Sequence, residues 1–264
     1  MRIKTVFLLA LLPILLLPIL LLTGCAWGRE ENLIPDIPRS SLKEKDFTQD
    51  EKGRAAYPGA LLGVDVSSHQ QEIDWTRVKA DGVDFAILRI GFRGNTEGGL
   101  NVDSAFARNY VEARKAGLRV GVYFYSQAIS KAEAEEEAAW VLKMLDGLPL
   151  DLPVFFDWEE VAKGRTGGKA TSAVGDWAAA FCAAVEAGGY KAGVYFNQRY
   201  GYSIMRLERL TAYSFWIAEY DSWQSFGYQT DFWQFTGSGR VDGIKTVVDL
   251  DLMYAPEVED EEAQ

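Results

Sequence analysis

Histidine is almost absent from this chain: His69 is the single one in 264 residues. Cysteine is nearly as scarce, with Cys25 and Cys182 far apart and no zinc-ligand spacing around either. A metal centre built on imidazole and thiolate has no ligand set to draw on, and a Ser–His–Asp triad has one histidine to recruit. No metal or cofactor is expected. Cys182 falls in the Ala-rich run 177–187, which reads as a helix, so its thiol is expected to be a buried packing group. Positive charge is in deficit: 27 Lys and Arg stand against 38 Asp and Glu, a formal charge of −11. That balance argues against nucleic acid as a partner and against steering toward an anionic polymer.

The amino terminus carries the strongest local signal. Arg2 and Lys4 precede an almost wholly apolar run, 6–22, broken by Pro13 and Pro18 and followed by Leu22-Thr23-Gly24-Cys25. A basic start, an apolar stretch and small residues before a cut describe a secretory signal, expected over 1–24. The cysteine directly after Thr-Gly resembles the bacterial lipobox, which implies lipid attachment at Cys25. The expected location is extracytoplasmic, lipid-anchored to a bacterial membrane; a lipidated Cys25 cannot pair with Cys182. The alternative is a simple membrane anchor, for which the span is near the lower limit. Residues 25–57 hold Pro35, Pro38 and many charges with little periodicity, and read as a flexible tether. Residues 256–264 read as an acidic disordered tail. Between them, 58–255 is long enough for one large α/β domain, expected to act as a monomer.

Within the domain β-rich runs alternate with helical ones. Eight strands are expected, at 62–66, 85–90, 119–125, 154–159, 192–197, 215–220, 232–235 and 247–252. The clearest helix is 130–147, where Ser130 and Glu133 form a capping box and Gly147 supplies the stop. Over 101–117, Phe106, Tyr110 and Ala113 share one stripe. Strand–helix alternation implies a parallel sheet, and eight strands imply closure into a barrel. The segments after the sixth and seventh strands are too short for helical crossovers, which need about a dozen residues. The fold class is therefore α/β: an irregular TIM-like barrel, five β/α units followed by three strands.

Active sites of such barrels lie at the carboxyl ends of the strands, and acids accumulate there. Asp65 ends the first strand, Asp157-Trp158-Glu159 the fourth and Glu219-Tyr220-Asp221 the sixth; Asp249 and Asp251 lie in the eighth. Asp157 and Glu159 are two apart, so they share a face with Phe155, while Phe156 and Trp158 take the other. Two carboxylates held close resist double ionisation, which is how a glycosidase keeps a proton for a leaving oxygen at neutral pH. Asp65 and Asp249 come from strands that are neighbours in a closed barrel and add negative field. Tyr123, Tyr125, Trp216 and Trp233 offer rings for the apolar faces of sugars, or core packing.

The same residues carry a family resemblance. Gly63-Val64-Asp65-Val66-Ser67-Ser68-His69-Gln70, Ile73-Asp74-Trp75, Phe85-Ala86-Ile87-Leu88-Arg89, Gly121-Val122-Tyr123-Phe124-Tyr125, Pro153-Val154-Phe155-Phe156-Asp157-Trp158-Glu159, Trp216-Ile217-Ala218-Glu219-Tyr220, Trp233-Gln234-Phe235 and Val248-Asp249-Leu250-Asp251 follow one another in order. Together they resemble the glycoside hydrolase family 25 lysozymes, the N-acetylmuramidases, over about 61–254. The resemblance implies an irregular barrel and cleavage of the β-1,4 bond from N-acetylmuramic acid to N-acetylglucosamine in peptidoglycan strands. It implies Glu159 as general acid, Asp157 orienting the N-acetyl group or stabilising the positive intermediate, and Asp65 and Asp249 completing an acidic floor. Arg89 joins the tyrosines and tryptophans as an expected substrate-binding residue. The nucleophile stays open among Asp157, Asp65 and the substrate acetamide. Asp251 departs from the family's frequent Asn, and the Gly- and Lys-rich 163–169 stretch is expected to reshape the groove. His69 belongs to the opening motif and is expected at the groove edge or in a structural role. Two other readings are a different barrel hexosaminidase, such as a chitinase, and a non-catalytic glycan-binding lipoprotein. The residues before Asp157 lack the acids of the longer chitinase run, and the presence of all four acids opposes the second.

Overall fold

The computed structural model describes residues 33–254. The expected signal peptide, Cys25 and the acidic tail lie outside them. In chain order, β1 (Thr48–Gln49) and β2 (Ala55–Ala56) form a small hairpin. The barrel is built by β3 (Leu61–Val66), β4 (Phe85–Arg93), β6 (Arg119–Ser126), β7 (Val154–Trp158), β8 (Ala192–Asn197), β9 (Ser214–Ala218), β10 (Phe232–Gly239) and β11 (Val248–Met253), and β3 pairs with β4 to close it. Helices α1 (Trp75–Ala80), α2 (Phe106–Lys115), α3 (Lys131–Leu145), α4 (Ala173–Ala187) and α5 (Gln198–Ser203) follow the first five barrel strands. Among the described residues no helix follows the last three. This is the expected plan of five β/α units and three further strands. No helix of the described residues is long and apolar enough to cross a membrane.

The sequence dictates much of the helical layer. Ser130 Oγ accepts from Glu133 N–H at 3.2 Å and starts α3. Glu133 returns its carboxylate to Ile129 N–H at 2.9 Å, one residue before the partner a capping box uses. Asp146 and Gly147 follow with φ of 43° and 79°, the left-handed stop the glycine predicted. Phe106, Tyr110 and Ala113 are buried along α2 as expected. That helix is shorter than its pattern, because residues 100–102 form β5 (Leu100–Val102), a strand antiparallel to an extended β4. Cys182 is fully buried in α4, its Sγ 3.5 Å from the Gly193 carbonyl.

Two features depart from the sequence reading. The sheet is not wholly parallel: β11 runs antiparallel to both β10 and β3. The β10–β11 connection is too short for a crossover, so the chain reverses. Asp249 is thus at the start of its strand, and only the reversal brings it to the rim where Asp65 ends β3. The second departure is residues 33–57, read as a tether. They lie against the barrel, where helices are missing. Ile37 is buried, Phe47 packs edge-on to Trp233 with centroids 5.3 Å apart, and Tyr57 meets Tyr254. Pro38 accepts from Gln229 N–H at 2.9 Å, and Arg54 pairs with Asp81 at the end of α1. The arm's apolar residues are few and aperiodic, so no pattern announces them; their role comes from the bare outer face of β9–β11.

Candidate active site

Inward-facing side chains divide the barrel interior into two layers. The lower is a dry plug of Phe85, Ile87, Phe155, Trp216 and Phe232. Gly63 is required there, since a Cβ at that position would lie 2.1 Å from the Phe85 ring. Above the plug, inward positions turn acidic. Asp65 on β3 stands directly across from Asp249 on β11. Asp157 on β7 is flanked in register by Tyr125 on β6 and Tyr195 on β8. Glu159 follows one residue beyond β7. The period-two reading of this strand holds: Phe155 packs in the plug, while Phe156 and Trp158 pack outward against the helices.

Hydrogen bonds distinguish the acids. Gln234 Nε2 donates to Asp65 Oδ2 at 2.7 Å, and its Oε1 accepts from Tyr195 at 2.9 Å and Tyr220 at 2.8 Å. Asp251 lies deeper, fully buried, its Oδ1 accepting from Trp216 Nε1 at 2.8 Å. Asp157 is buried, and its Oδ1 has no protein hydrogen-bond partner among the described residues. The Glu159 backbone is held by two buried residues: its carbonyl accepts from Gln127 Nε2 at 2.8 Å and from Thr166 Oγ1 at 3.1 Å. Thr166 belongs to the Gly- and Lys-rich loop, which therefore buttresses the Glu159 backbone.

Burial pushes every one of these carboxyls upward, and like charge adds to it at Asp65, Asp157, Asp249 and Asp251. Burial dominates at Asp157, followed by the charge of Glu159, with Arg89 opposing. Asp65 is raised by burial, then by Asp251 and Asp249, against the Gln234 hydrogen bond. Asp249 rises to about 6 through burial and the charge of Glu159. Glu159 meets solvent at the rim, yet the surrounding walls desolvate it enough to raise its pKa, while a hydrogen bond from Tyr125 opposes. The site can therefore hold protons on carboxyls at pH values where free carboxyls are ionised.

The sequence-predicted residues divide accordingly. Asp65, Asp157, Glu159 and Asp249 are brought together. Tyr125 is half-buried beside Glu159, and Tyr123 lies in the wall between plug and acids, 6.1 Å from Trp216. Trp216 is no sugar platform: it is buried in the plug and serves Asp251. Trp233 faces outward, fully buried under the arm, with its Nε1 on the Glu219 carbonyl at 2.7 Å. Strand parity with Gln234, which points inward, assigns Trp233 to the outer face. Arg89 is committed to Asp103, 2.7 Å away, and acts on Asp157 through its charge. His69 is exposed beside Ser67, its backbone N–H donating to Ser67 Oγ at 3.2 Å. The sequence reading gave no role to Gln234, Tyr195 or Tyr220. A glutamine amid Trp233-Gln234-Phe235 was the available signal, because a polar side chain facing a barrel interior needs a partner.

Comparison with known proteins agrees with this architecture. The model for "Glycosyl hydrolases family 25" matches residues 64–244. The YegX protein of Escherichia coli O157:H7, itself uncharacterised, is 30% identical over 202 residues, covering 75% of this chain and 71% of its own. The autolytic lysozyme of Clostridium acetobutylicum is 28% identical over 193 residues, 72% of this chain and 55% of its own. The modular autolysin LytC of Streptococcus pneumoniae shares the fold, with a TM-score of 0.66 and 24% identity over 83% of this chain. The chain spans about half of that autolysin's length, 52%. LytC has also been solved with a synthetic peptidoglycan ligand.

Proposed function

Because this chain belongs to glycosyl hydrolase family 25, we propose that it is a lysozyme that cleaves peptidoglycan strands at the β-1,4 bond from N-acetylmuramic acid to N-acetylglucosamine. The observation that carries the reading is the ring of four acids around the barrel mouth, above the apolar plug, with Glu159 at its accessible edge and Asp157 inside it. Glu159 meets solvent, so it can reach a glycosidic oxygen, and its raised pKa keeps the proton that oxygen needs. Asp157 has an oxygen without a partner among the described residues, so it is the acid that meets developing positive charge or the N-acetyl group. Asp65 is already ligated by Gln234 and contributes field rather than a bond to the sugar. Peptidoglycan is the expected partner, and a lipid on Cys25 would hold the enzyme at the outer side of a bacterial membrane, near its polymer.

A paired digest tests the substrate. Purified protein should release reducing ends from peptidoglycan and leave chitin essentially intact. Equal turnover of chitin would favour a general hexosaminidase, and tight binding to peptidoglycan without product would favour a glycan-binding lipoprotein.

The Tyr125 hydrogen bond gives a prediction with a definite sign. It holds the Glu159 pKa down, so Tyr125→Phe raises that pKa further. The acid then stays protonated to higher pH, and the alkaline limb of the kcat profile moves upward. One neutral hydrogen bond is worth about 0.5–1.5 kcal/mol, so kcat itself should change by less than about tenfold. A limb that moves to lower pH contradicts the assignment of Glu159 as the proton donor.

A further inference from the structure

Below the acids that face the mouth sits one carboxyl that the proposed chemistry does not use. Asp251 is fully buried on β11, and among the described residues Trp216 Nε1 supplies its one side-chain donor, to Oδ1 at 2.8 Å. Its Oδ2 receives no donor among the described residues. The side chain set against it is the carboxyl of Asp65, diagonally across the register on the paired strand β3. Two carboxylates cannot make that contact, because neither carries a hydrogen; with one proton between them the contact becomes a strong hydrogen bond. No Lys or Arg among the described residues pairs with Asp251, and the ionisable groups acting on it are Asp65, Asp249 on its own strand, and Tyr220 from the β9–β10 connection. Asp65 retains slight solvent access and a neutral-amide donor from Gln234, whereas Asp251 has no exposure. The deeper group is the one that a charge would disfavour more.

We propose that Asp251 is a positioning residue that keeps a proton and donates it in a hydrogen bond to Asp65, so that the Asp65–Asp251 pair carries one negative charge while the enzyme works. The pair fixes the Asp65 carboxylate between two donors, Gln234 and Asp251. It also limits the negative field at the floor of the site, since a second charge there would raise Asp157 and Glu159 further. The inference rests on the lysozyme reading for its catalytic consequence, but the protonation claim itself does not.

The linkage has a clear sign. Groups whose folded pKa lies above the unfolded value hold stability that is complete below the unfolded pKa and lost as pH rises through the folded one. Asp251 and Asp65 are both raised, chiefly by burial. Ionisation of the pair should therefore lower Tm as pH climbs above about 4, the ordinary carboxyl range. Asp251→Asn keeps an oxygen for Trp216 and supplies a permanent N–H for Asp65, so it mimics the protonated acid.

The test uses the full chain. Tm is measured from pH 4 to pH 9 for wild type, Asp251→Asn and Asp251→Leu, with kcat on peptidoglycan at pH 5 alongside. The expected result is a flatter Tm profile for Asp251→Asn, with higher Tm at alkaline pH and kcat within about threefold of wild type. Asp251→Leu, which cannot donate, should lose at least tenfold in kcat. An Asp251→Asn profile as steep as wild type, or a loss of more than about a hundredfold in its kcat, overturns the proposal; the latter would mean that Asp251 works as an anion. If wild type shows no turnover on peptidoglycan, the lysozyme reading fails and the Tm comparison still decides the protonation claim. Should Asp251→Asn not fold, infrared difference spectra of wild type against Asp251→Leu at pH 7 decide it: a protonated-carboxyl band lost in the variant supports the pair, and no loss overturns it.

Discussion

Glu159→Gln is expected to lower kcat on peptidoglycan by about 10²- to 10⁴-fold, the usual contribution of a positioned general acid. In free-energy terms that is roughly 2.7–5.4 kcal/mol of lost transition-state stabilisation. Glutamine preserves length and shape, and the backbone clamp from Gln127 and Thr166 onto the Glu159 carbonyl is untouched by the change. The side chain is exposed at the rim, so the fold should be indifferent to it. Binding of the polymer should therefore survive, with the loss confined to kcat rather than KM. The variant also relieves its neighbours. The Glu159 charge raises both Asp157 and Asp249, so Glu159→Gln should let Asp249 fall below its value of about 6. A Glu159→Gln enzyme with near-normal kcat would mean that another group delivers the proton.

The second large effect concerns stability and comes from the amino-terminal arm. Removing residues 33–57 uncovers Trp233 and strips Tyr228, on the β9–β10 connection, of the Ile34 N–H and the Arg39 guanidinium that meet it. It also removes Ile37 from its pocket. Full burial of one large apolar side chain is worth about 1.5–3 kcal/mol, so losing the Ile37 and Trp233 contacts alone costs about 3–6 kcal/mol. For a domain of this size, that corresponds to a fall in Tm of roughly 6–24 °C. A milder version, Ile37→Ala, is expected to cost about 2–5 kcal/mol through the cavity it leaves. Thermal melts of the two variants beside the intact chain check both numbers. A truncated protein that melts within about 2 °C of the intact chain would show that the arm is an ornament and that the tether reading was right after all.

That arm marks the boundary of what the sequence made legible. Periodicity and loop length were sufficient for the barrel: strand-to-strand spacing gave five crossovers and two short connections, and the structure has both. The side of each residue was legible too, because strand parity is strict. Phe155 and Asp157 point in, Phe156 and Trp158 point out, and the acids at the strand ends converge as their parity requires. Depth was not legible. Trp216 has inward parity like Tyr123, yet it sits a layer lower, where it packs in the plug and holds Asp251. Of the two readings for Trp233, sugar platform or core packing, its parity supports packing, since it places the ring outside, under the arm. Strand direction was the other blind spot, since a sequence run does not state whether β11 runs up or down. Segment 33–57 escaped for a third reason: coverage of an exposed sheet face is decided by what the rest of the fold leaves bare, and no local pattern records it.

The polar network around Asp65 was partly visible. Asp65 itself announced a site, being an acid in an apolar strand. Gln234 carries the same kind of signal, a polar side chain in an aromatic strand, and it determines which oxygen of Asp65 is occupied. The consequence for mechanism is concrete. Sequence alone leaves Asp157, Asp65 and the substrate acetamide as candidates opposite Glu159. The hydrogen bonds favour Asp157 over Asp65, because Asp65 is held by Gln234 and Asp157 keeps an oxygen with no partner among the described residues.

The most direct measurement is mass spectrometry of the products released from a defined peptidoglycan by the full chain, with Glu159→Gln beside it. Wild type should release disaccharide-peptides whose reducing ends are N-acetylmuramic acid, and the variant should release almost none over the same time. Products with N-acetylglucosamine at the reducing end, or equal yields from the two proteins, would contradict a muramidase that works through Glu159.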